Sequence, residues 1–325
     1  MLFVNRQIHL VRYPDGMPTP DDFVVVDAAM PAAGPGEILV RVTALGLDPF
    51  PRLRMRADSR VGPPLPLSQV VEGRGVGIVI ASNHADFGIG DGVAAETGWQ
   101  AYCAVPGANA QKLDLGLGPI ERHLSTLGPS GLTAFFAVER VAPQPGETLV
   151  IAPAAGSVGV LAGQLAKAAG TRVIGMVASA AQADFVVRSL GFDAAFTSAE
   201  QVTEPVDCFI DGVGGALHDA MVGKLALRAR VLLLGFIAAY NEAAPPSYGA
   251  ALPILFKRAT VSGFLLADHA ADFDRARAAI VAALAADTLR PVEAIHHGLA
   301  STPAAFADLF GEPLPGKQIV RLEIP

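Results

Sequence analysis

Apolar and polar positions divide this chain into two regimes. Up to about residue 120, apolar residues come in short runs of alternating or β-branched character, at 7–12, 23–27, 37–44, 75–81 and 92–95. Pro14-Asp15-Gly16, Gly34-Pro35-Gly36, Gly62-Pro63-Pro64 and Gly90-Asp91-Gly92 separate them. Glycine and proline supply turn geometries that strands cannot. The pattern therefore predicts short strands joined by tight turns, in a barrel-like or sandwich module. From Ser125 the pattern changes. A helical run starts there, passes Thr133 and Arg140, and is broken by Pro143 and Pro145. Largely apolar runs at 149–152, 172–177, 194–196, 206–211 and 229–234 then alternate with helical stretches at 181–190, 216–225 and 271–284 and in the segment after 159. In the 271–284 helix, Asp272, Asp274, Arg275 and Arg277 oppose Phe273, Ile280, Val281 and Leu284. Near-continuous apolar strands need cover on both faces, which a parallel sheet between helices provides. Beyond Pro291 short strands return, at 294–299 and 317–323, around a helix at 303–309. The fold class is α/β, with a β-rich part at 1–124 and 291–325 and a parallel-sheet part at 125–290.

The stretch TLVIAPAAGSVGVLAGQLAKAAGTRVIGMVAS, from Thr148 to Ser179, organises the second part. It reads as strand, tight turn, helix, strand, the context a dinucleotide fingerprint requires. In such a turn, backbone N–H groups and the positive end of a helix approach a pyrophosphate. Gly156 permits close approach of the backbone, and Gly159 lets the helix pack on the sheet. The first glycine of the pattern is Ala154, so the match is A-x-G-x-x-G. Without a ligand, the same stretch is an ordinary βαβ crossover.

Composition narrows the function. With 325 residues, 51% hydrophobic and 17% charged, the chain can bury the cores of two domains, and disorder is excluded. A net charge of −7, and no basic run interleaved with aromatics, exclude nucleic acid and anionic membrane as main partners. Residues 149–166 lack charge, but Pro153, three glycines and Ser157 rule out a membrane span there. The N-terminus has no signal-peptide pattern, and the two cysteines, Cys103 and Cys208, lie far apart. Both observations fit a cytoplasmic protein without a cysteine-built zinc lobe.

Nine motifs occur in one order: GLDPFPRLRM (46–55), VEGRGVGIVIAS (71–82), GIGDGVAAETGWQAY (88–102), GPSGLTAFFAV (128–138), AAGSVG (154–159), DGVGG (211–215), GFIAAYN (235–241), SGFLLADH (262–269) and GEPLPGKQIVRL (311–322). Together they resemble zinc-independent medium-chain reductases of the alkenal or one-double-bond group, which includes prostaglandin, leukotriene B4 and curcumin reductases. The resemblance implies a GroES-like substrate module around a Rossmann domain, a homodimer, and NADPH-dependent reduction of carbon–carbon double bonds conjugated to a carbonyl. It also implies a cofactor set of Thr133, Ala155, Gly156, Ser157, Val158, Ser179, Gln182, Gly212, Gly235, Phe236, Tyr240, Phe264 and Leu265. The implied substrate pocket includes Asp48, Phe50, Tyr240 and Phe264.

Zinc is argued out by the residues themselves. A catalytic zinc needs about three converging N, S or O ligands. Where zinc-dependent relatives place a cysteine this chain reads Ala44-Leu45-Gly46-Leu47-Asp48, and in place of their His-Glu pair it reads Gln69-Val70-Val71-Glu72. The histidines, at 9, 84, 123, 218, 269, 296 and 297, are read as surface residues. Without a metal, another group must receive the charge that develops on the substrate carbonyl. Tyr240 is either a loop-capping tyrosine or the hydroxyl that meets this charge, directly or by positioning the nicotinamide ribose hydroxyl that does, and the resemblance favours the second role. Phe50 stands where the family usually has a tyrosine at the pocket mouth. Asp48 and Arg52 are expected to be structural partners, Arg54 and Arg56 solvated, Trp99 and Tyr102 core, and Met55 and Phe264 either core or pocket lining.

The cofactor's 2′ position departs from pattern. An NAD site wants an acid about twenty residues after the glycine turn, and an NADP site a cation. This chain has Ser179 there, followed by Gln182, where the family usually has lysine. Ser198, Gly212 and Pro313 or Leu314 replace a family tyrosine and two asparagines. NADPH with tolerance of NADH is the expectation. A quinone oxidoreductase is the alternative activity, and a cofactor-impaired binding or scaffold protein the alternative of another class.

Overall fold

The computed structural model describes residues 4–59, 61–242 and 251–323. They fall into two compact units. Met1–Leu124, Ala294–Pro313 and Gln318–Pro325 make one, and Ser125–Glu293 with Leu314–Lys317 the other.

The first unit is β-rich. β1 (Val4–Leu10) and β2 (Phe23–Ala29) pair antiparallel along their length. β3 (Glu37–Gly46), β4 (Arg74–Ser82), β5 (Gly92–Glu96), β6 (Tyr102–Pro106) and β7 (Gln111–Lys112) follow. Alternation along β3 buries Ile38, Val40, Val42 and Ala44, the period of two that one core face demands. β6 was not anticipated, although Cys103 and Val105 point inward with the same period; its small residues and terminal Pro106 hid it.

The second unit is α/β. α1 (Pro129–Val141) precedes β8 (Thr148–Ala152), α2 (Gly159–Ala168), β9 (Arg172–Met176), α3 (Ala180–Leu190), β10 (Ala194–Phe196), β11 (Val206–Asp211), α4 (Gly215–Val222), β12 (Leu225–Leu233), α5 (Ala251–Lys257), β13 (Thr260–Gly263) and α6 (Phe273–Ala285). The six-stranded sheet has the order β10-β9-β8-β11-β12-β13, and its pairs are parallel. Val150, Ile174, Phe209 and Val231 anchor its core.

Three expectations shift here. α1 begins at Pro129, not Ser125: proline has no N–H to donate, so it suits the first helical turn after Gly128. β12 begins at Leu225, four residues earlier than expected, and absorbs a register shift with Arg228 at φ 63°. Arg277 joins the inner side of α6, because it lies one turn from Phe273 and covers that ring at 5.8 Å.

The chain then returns to the first unit as β14 (Glu293–His297), α7 (Thr302–Asp308) and β15 (Lys317–Arg321). That completes a seven-stranded sheet, β14-β15-β3-β4-β5-β7, with β6 on β3. Trp99 is buried there against Phe23 and Phe306, with ring centroids 5.6 and 5.2 Å away, and Met55 is fully buried.

Candidate active site at the carboxyl ends of the parallel strands

Strand order reverses between β8 and β11: β9 and β10 lie on one side, β12 and β13 on the other. Ligands of open parallel sheets bind outside the carboxyl ends at such a reversal. Two turns meet there, 153–158 after β8 and 212–214 after β11. The Gly212 N–H joins them by donating to the Ala152 carbonyl at 2.7 Å.

The first turn is built by absent side chains. A Cβ on Gly159 would stand 2.2 Å from the Pro153 carbonyl oxygen and 2.7 Å from that of Ala154. Only glycine lets α2 start so close to the strand end. Gly163, one turn on, carries the contact with the next layer, where a Cβ would lie 1.9 Å from Phe192 Cζ. Ala154 can replace the pattern's first glycine because its neighbour on β9 is Gly175, where a Cβ would come within 2.7 Å of the Ala154 methyl. The amides of Ala155, Val158 and Gly159 have no acceptor among the described residues, and 156–158 are half-buried. Unpaired donors at the positive end of a helix suit an anion. Gly316 closes the turn from outside, donating to the Ala155 carbonyl at 2.8 Å.

The second turn is held by a buried carboxylate. Asp211 accepts from the amides of Val213 and Gly214, both at 2.9 Å, and from His218 Nδ1 at 2.7 Å. Asp211 and His218 are both buried. Ile237 and Ala238 donate to the carbonyls of Gly212 and Val213, each at 3.1 Å, so this turn carries the segment from Gly235 to Tyr240. Tyr240 is buried and its hydroxyl hydrogen-bonds the Phe236 backbone; burial, the larger effect, holds its pKa above the ordinary value. A Cβ on Gly235 would be 3.4 Å from that hydroxyl.

At the end of β9, Ser179 caps α3, its hydroxyl accepting from the Gln182 N–H at 3.4 Å. The Gln182 side chain is buried and accepts from the Ala178 N–H at 3.0 Å. Its carbonyl oxygen is therefore spent on the cap. After β13, Phe264 stacks on His269 (centroids 5.1 Å apart), which stacks on Phe136 at 4.5 Å, while Leu265 is 70% exposed. Thr133 lies on α1, half-buried. Except for Thr133, the second unit's expected cofactor residues all follow the carboxyl ends of β8, β9, β11, β12 and β13. In the first unit, Asp48 is half-buried and Phe50 is 53% exposed, leading a short 3-10 turn, Phe50–Arg54. Arg52 is buried, donating to the carbonyls of Gly16 at 2.6 Å and Met55 at 3.3 Å. Arg54 and Arg56 are not simply solvated, since they pair with Glu72 and Asp58.

The surface reading of the histidines is overturned. Of the seven, only His297 is exposed, and His123 and His218 are buried. An imidazole is apolar enough to enter a core once each ring N–H finds an acceptor, and that acceptor can be remote in sequence. The one available signal for His218 was its place three residues after Gly215, at the start of a helix that follows Asp211. Among the described residues no three His, Cys, Asp or Glu side chains group to hold a metal, and no helix is long and apolar enough to cross a membrane.

Residues 6–113 match a family model described as the N-terminal domain of oxidoreductase, and residues 157–282 one described as zinc-binding dehydrogenase. The chain is 31% identical to the NADPH-dependent curcumin reductase of Escherichia coli, over 98% of this chain and 97% of that protein. It is 30% identical to the 2-alkenal reductase (NADP(+)-dependent) of Nicotiana tabacum, over 97% of both. Among solved structures, CurA of Vibrio vulnificus in complex with NADPH superposes with a TM-score of 0.92 at 32% identity, covering 98% of this chain and all of that one.

Proposed function

We propose a function on this premise: the chain belongs to the zinc-independent medium-chain reductases that include the curcumin and 2-alkenal reductases. It is an NADPH-dependent reductase of carbon–carbon double bonds conjugated to a carbonyl. The observation that carries this reading is the set of unpaired amides at the start of α2, together with a buried tyrosine hydroxyl beyond the carboxyl end of β12, two strands along the same sheet.

The residues fit the cofactor. Ala155, Gly156, Ser157 and Val158 would hold its pyrophosphate, Ser179 and Gln182 would lie toward its adenosine ribose, and Gly212, Gly235, Phe236, Phe264, Leu265 and Thr133 complete the set. Bound NADPH supplies a hydride to the β-carbon of the substrate. The protein's part is to hold donor and acceptor in near-attack geometry and to meet charge on the carbonyl oxygen. Tyr240 does the latter. Its oxygen is engaged with the Phe236 backbone, and burial keeps its proton on at neutral pH, so the hydroxyl can donate to the enolate oxygen. Solvent supplies the proton to the α-carbon. Asp48 and Phe50 belong to the substrate module, 1–124 and 291–325, and Phe50 makes the pocket more apolar than a tyrosine would.

A second reading concerns the dinucleotide. Ser179 and the carbonyl end of Gln182 are committed to the α3 cap, and neither carries charge. A 2′-phosphate there lacks a charge-assisted partner from these residues, which favours tolerance of NADH. A homodimer and a cytoplasmic location complete the proposal. β13 is an edge strand, and Leu252, Leu255 and Phe256 on the adjoining α5 are 65–70% exposed. Both cysteines are free and buried, as a reducing compartment allows.

Steady-state assays with a 2-alkenal and a benzoquinone, each with NADPH and NADH, test the activity. Faster turnover of the quinone would transfer the protein to the quinone reductases, and failure of either cofactor to shift the melting temperature would leave a binding protein. NADPH binding a hundredfold tighter than NADH would end the relaxed-specificity reading. Light scattering that returns a single-chain mass would end the dimer.

A further inference from the structure

We infer that His218, acting through Asp211, is a positioning residue: the buried pair fixes the Gly212–Gly215 turn and, through it, the segment that carries Tyr240. The inference rests on the role of Tyr240 proposed above.

The turn cannot hold itself. Of Gly212, Val213, Gly214 and Gly215 only Val213 has a side chain, and Gly214 and Gly215 sit at φ 70° and 60°. Glycines are the residues with the most backbone freedom to lose, so an anchor must come from outside. Asp211 supplies it. Its Oδ1 takes both the Val213 and Gly214 amides, which closes the turn onto the end of β11. Its Oδ2 takes His218 Nδ1, which ties the same carboxylate to α4. With exposures of 0% and 2%, neither partner has water as a substitute. An apolar residue at 218 would leave a buried carboxylate short of one donor.

What the pair fixes does not end at the turn. Leu234 donates to the Asp211 carbonyl at 2.7 Å, and Ile237 and Ala238 donate to the turn carbonyls. Each of the three bonds lands on the stretch leading to Tyr240, whose hydroxyl folds back onto Phe236. A carboxylate that loses its His218 partner and rotates would release the turn amides, and with them the docking surface of 235–240. A histidine that served only to fill the core would need no such chain of bonds.

The test compares His218→Leu with His218→Asn in the full-length protein. Asparagine keeps an N–H donor at the place of Nδ1, and leucine keeps only volume. Amide hydrogen exchange is read on peptides covering 211–215 and 235–242, with 172–176 as internal reference, alongside kcat and KM for an enone. In H218L, exchange in both peptides should rise at least tenfold with the reference unchanged. Its kcat should fall at least tenfold while KM moves less than threefold, and H218N should recover both. An H218L protein that melts earlier yet keeps wild-type exchange at 235–242 and wild-type kcat overturns the inference, as does H218N behaving like H218L. If the wild type reduces no enone, the proposed function fails, and the exchange comparison still decides the positioning role. If H218L does not fold, His218→Gln, whose donor reaches only the place of Nε2, takes its place against H218N, and equal exchange in the two overturns the inference.

Discussion

Replacing Gly156 by alanine should abolish tight dinucleotide binding without harming the fold, whereas Gly159→Ala should harm the fold first. The two positions differ in what a Cβ would meet. At Gly156 the nearest atoms all belong to Pro153, with Cγ at 3.2 Å, and Pro153 is an exposed ring able to give by a few tenths of an ångström. Gly156 is not in the left-handed region, so alanine adopts its backbone without strain. Its stability should stay within about 1 kcal/mol of wild type, because alanine also narrows the unfolded ensemble. At Gly159 the obstacles are backbone oxygens at 2.2 and 2.7 Å, which cannot turn aside. Overpacking of that kind costs about 1–3 kcal/mol or more, which for a unit of this size lowers the melting temperature by about 2–12 °C. Binding should follow a different order. A methyl on Gly156 holds an anion off the unpaired amides of this turn, and hydrogen bonds to a charged group contribute about 1.5–3 kcal/mol each. Loss of one or two, about 1.5–6 kcal/mol, weakens binding by roughly 10- to 20,000-fold. Titration by NADPH fluorescence, with a thermal melt of each variant, measures both quantities. If Gly156→Ala binds NADPH within threefold of wild type, the turn is not the pyrophosphate site.

Other predictions follow from the same geometry. Tyr240→Phe should lower kcat for an enone by about 10- to 100-fold with KM nearly constant, the range for removing one hydrogen bond to developing charge; an unchanged kcat removes the hydroxyl from the mechanism. Because burial raises the Tyr240 pKa above its ordinary 10, the wild-type rate should show no appreciable loss from this group between pH 7 and about 9. Burial also pushes the Cys103 thiol up from 9.0 to about 12 and, with burial again foremost, Cys208 to about 11. Below pH 9 both states keep these protons; above it the unfolded chain loses them first, so stability should fall by about 1.4 kcal/mol per thiol at pH 10. Urea unfolding of Cys103→Ala at pH 8 and 10 should show that much less loss, and an identical pH dependence would exclude the thiol. Gly163→Ala should destabilise by about 1–3 kcal/mol despite alanine's helix propensity, through the Phe192 ring, and Phe192→Leu should restore most of it in the double variant. Simple additivity of the two changes would exclude the contact.

Residue patterns alone made much of this protein legible. Periodicity depends on neighbours in sequence, and so the switch from short alternating strands to apolar strands between helices could be read at Ser125. The βαβ frame around Gly156 and Gly159 was legible for the same reason. The nine ordered motifs carried the family and the nicotinamide cofactor, and they singled out Tyr240 for the role proposed above. Local pattern failed where the deciding partner is distant. Nothing near Arg228 announces that β12 starts early, because the bulge is set by pairing with β11. Ala154 looked like a weakened fingerprint until β9 placed Gly175 beside it.

Gln182 offered an amide to a ligand in sequence; only the fold showed its carbonyl turned inward onto Ala178. His218 was one of seven histidines assigned to the surface, and its burial beside Asp211 required β11 and α4 to be brought together. The sequence by itself determined which elements form and which chemistry they can carry, since both depend on residue type and spacing. Tertiary structure alone decided which polar groups are already satisfied and which remain open to a ligand, because a hydrogen-bond partner is chosen by distance in space.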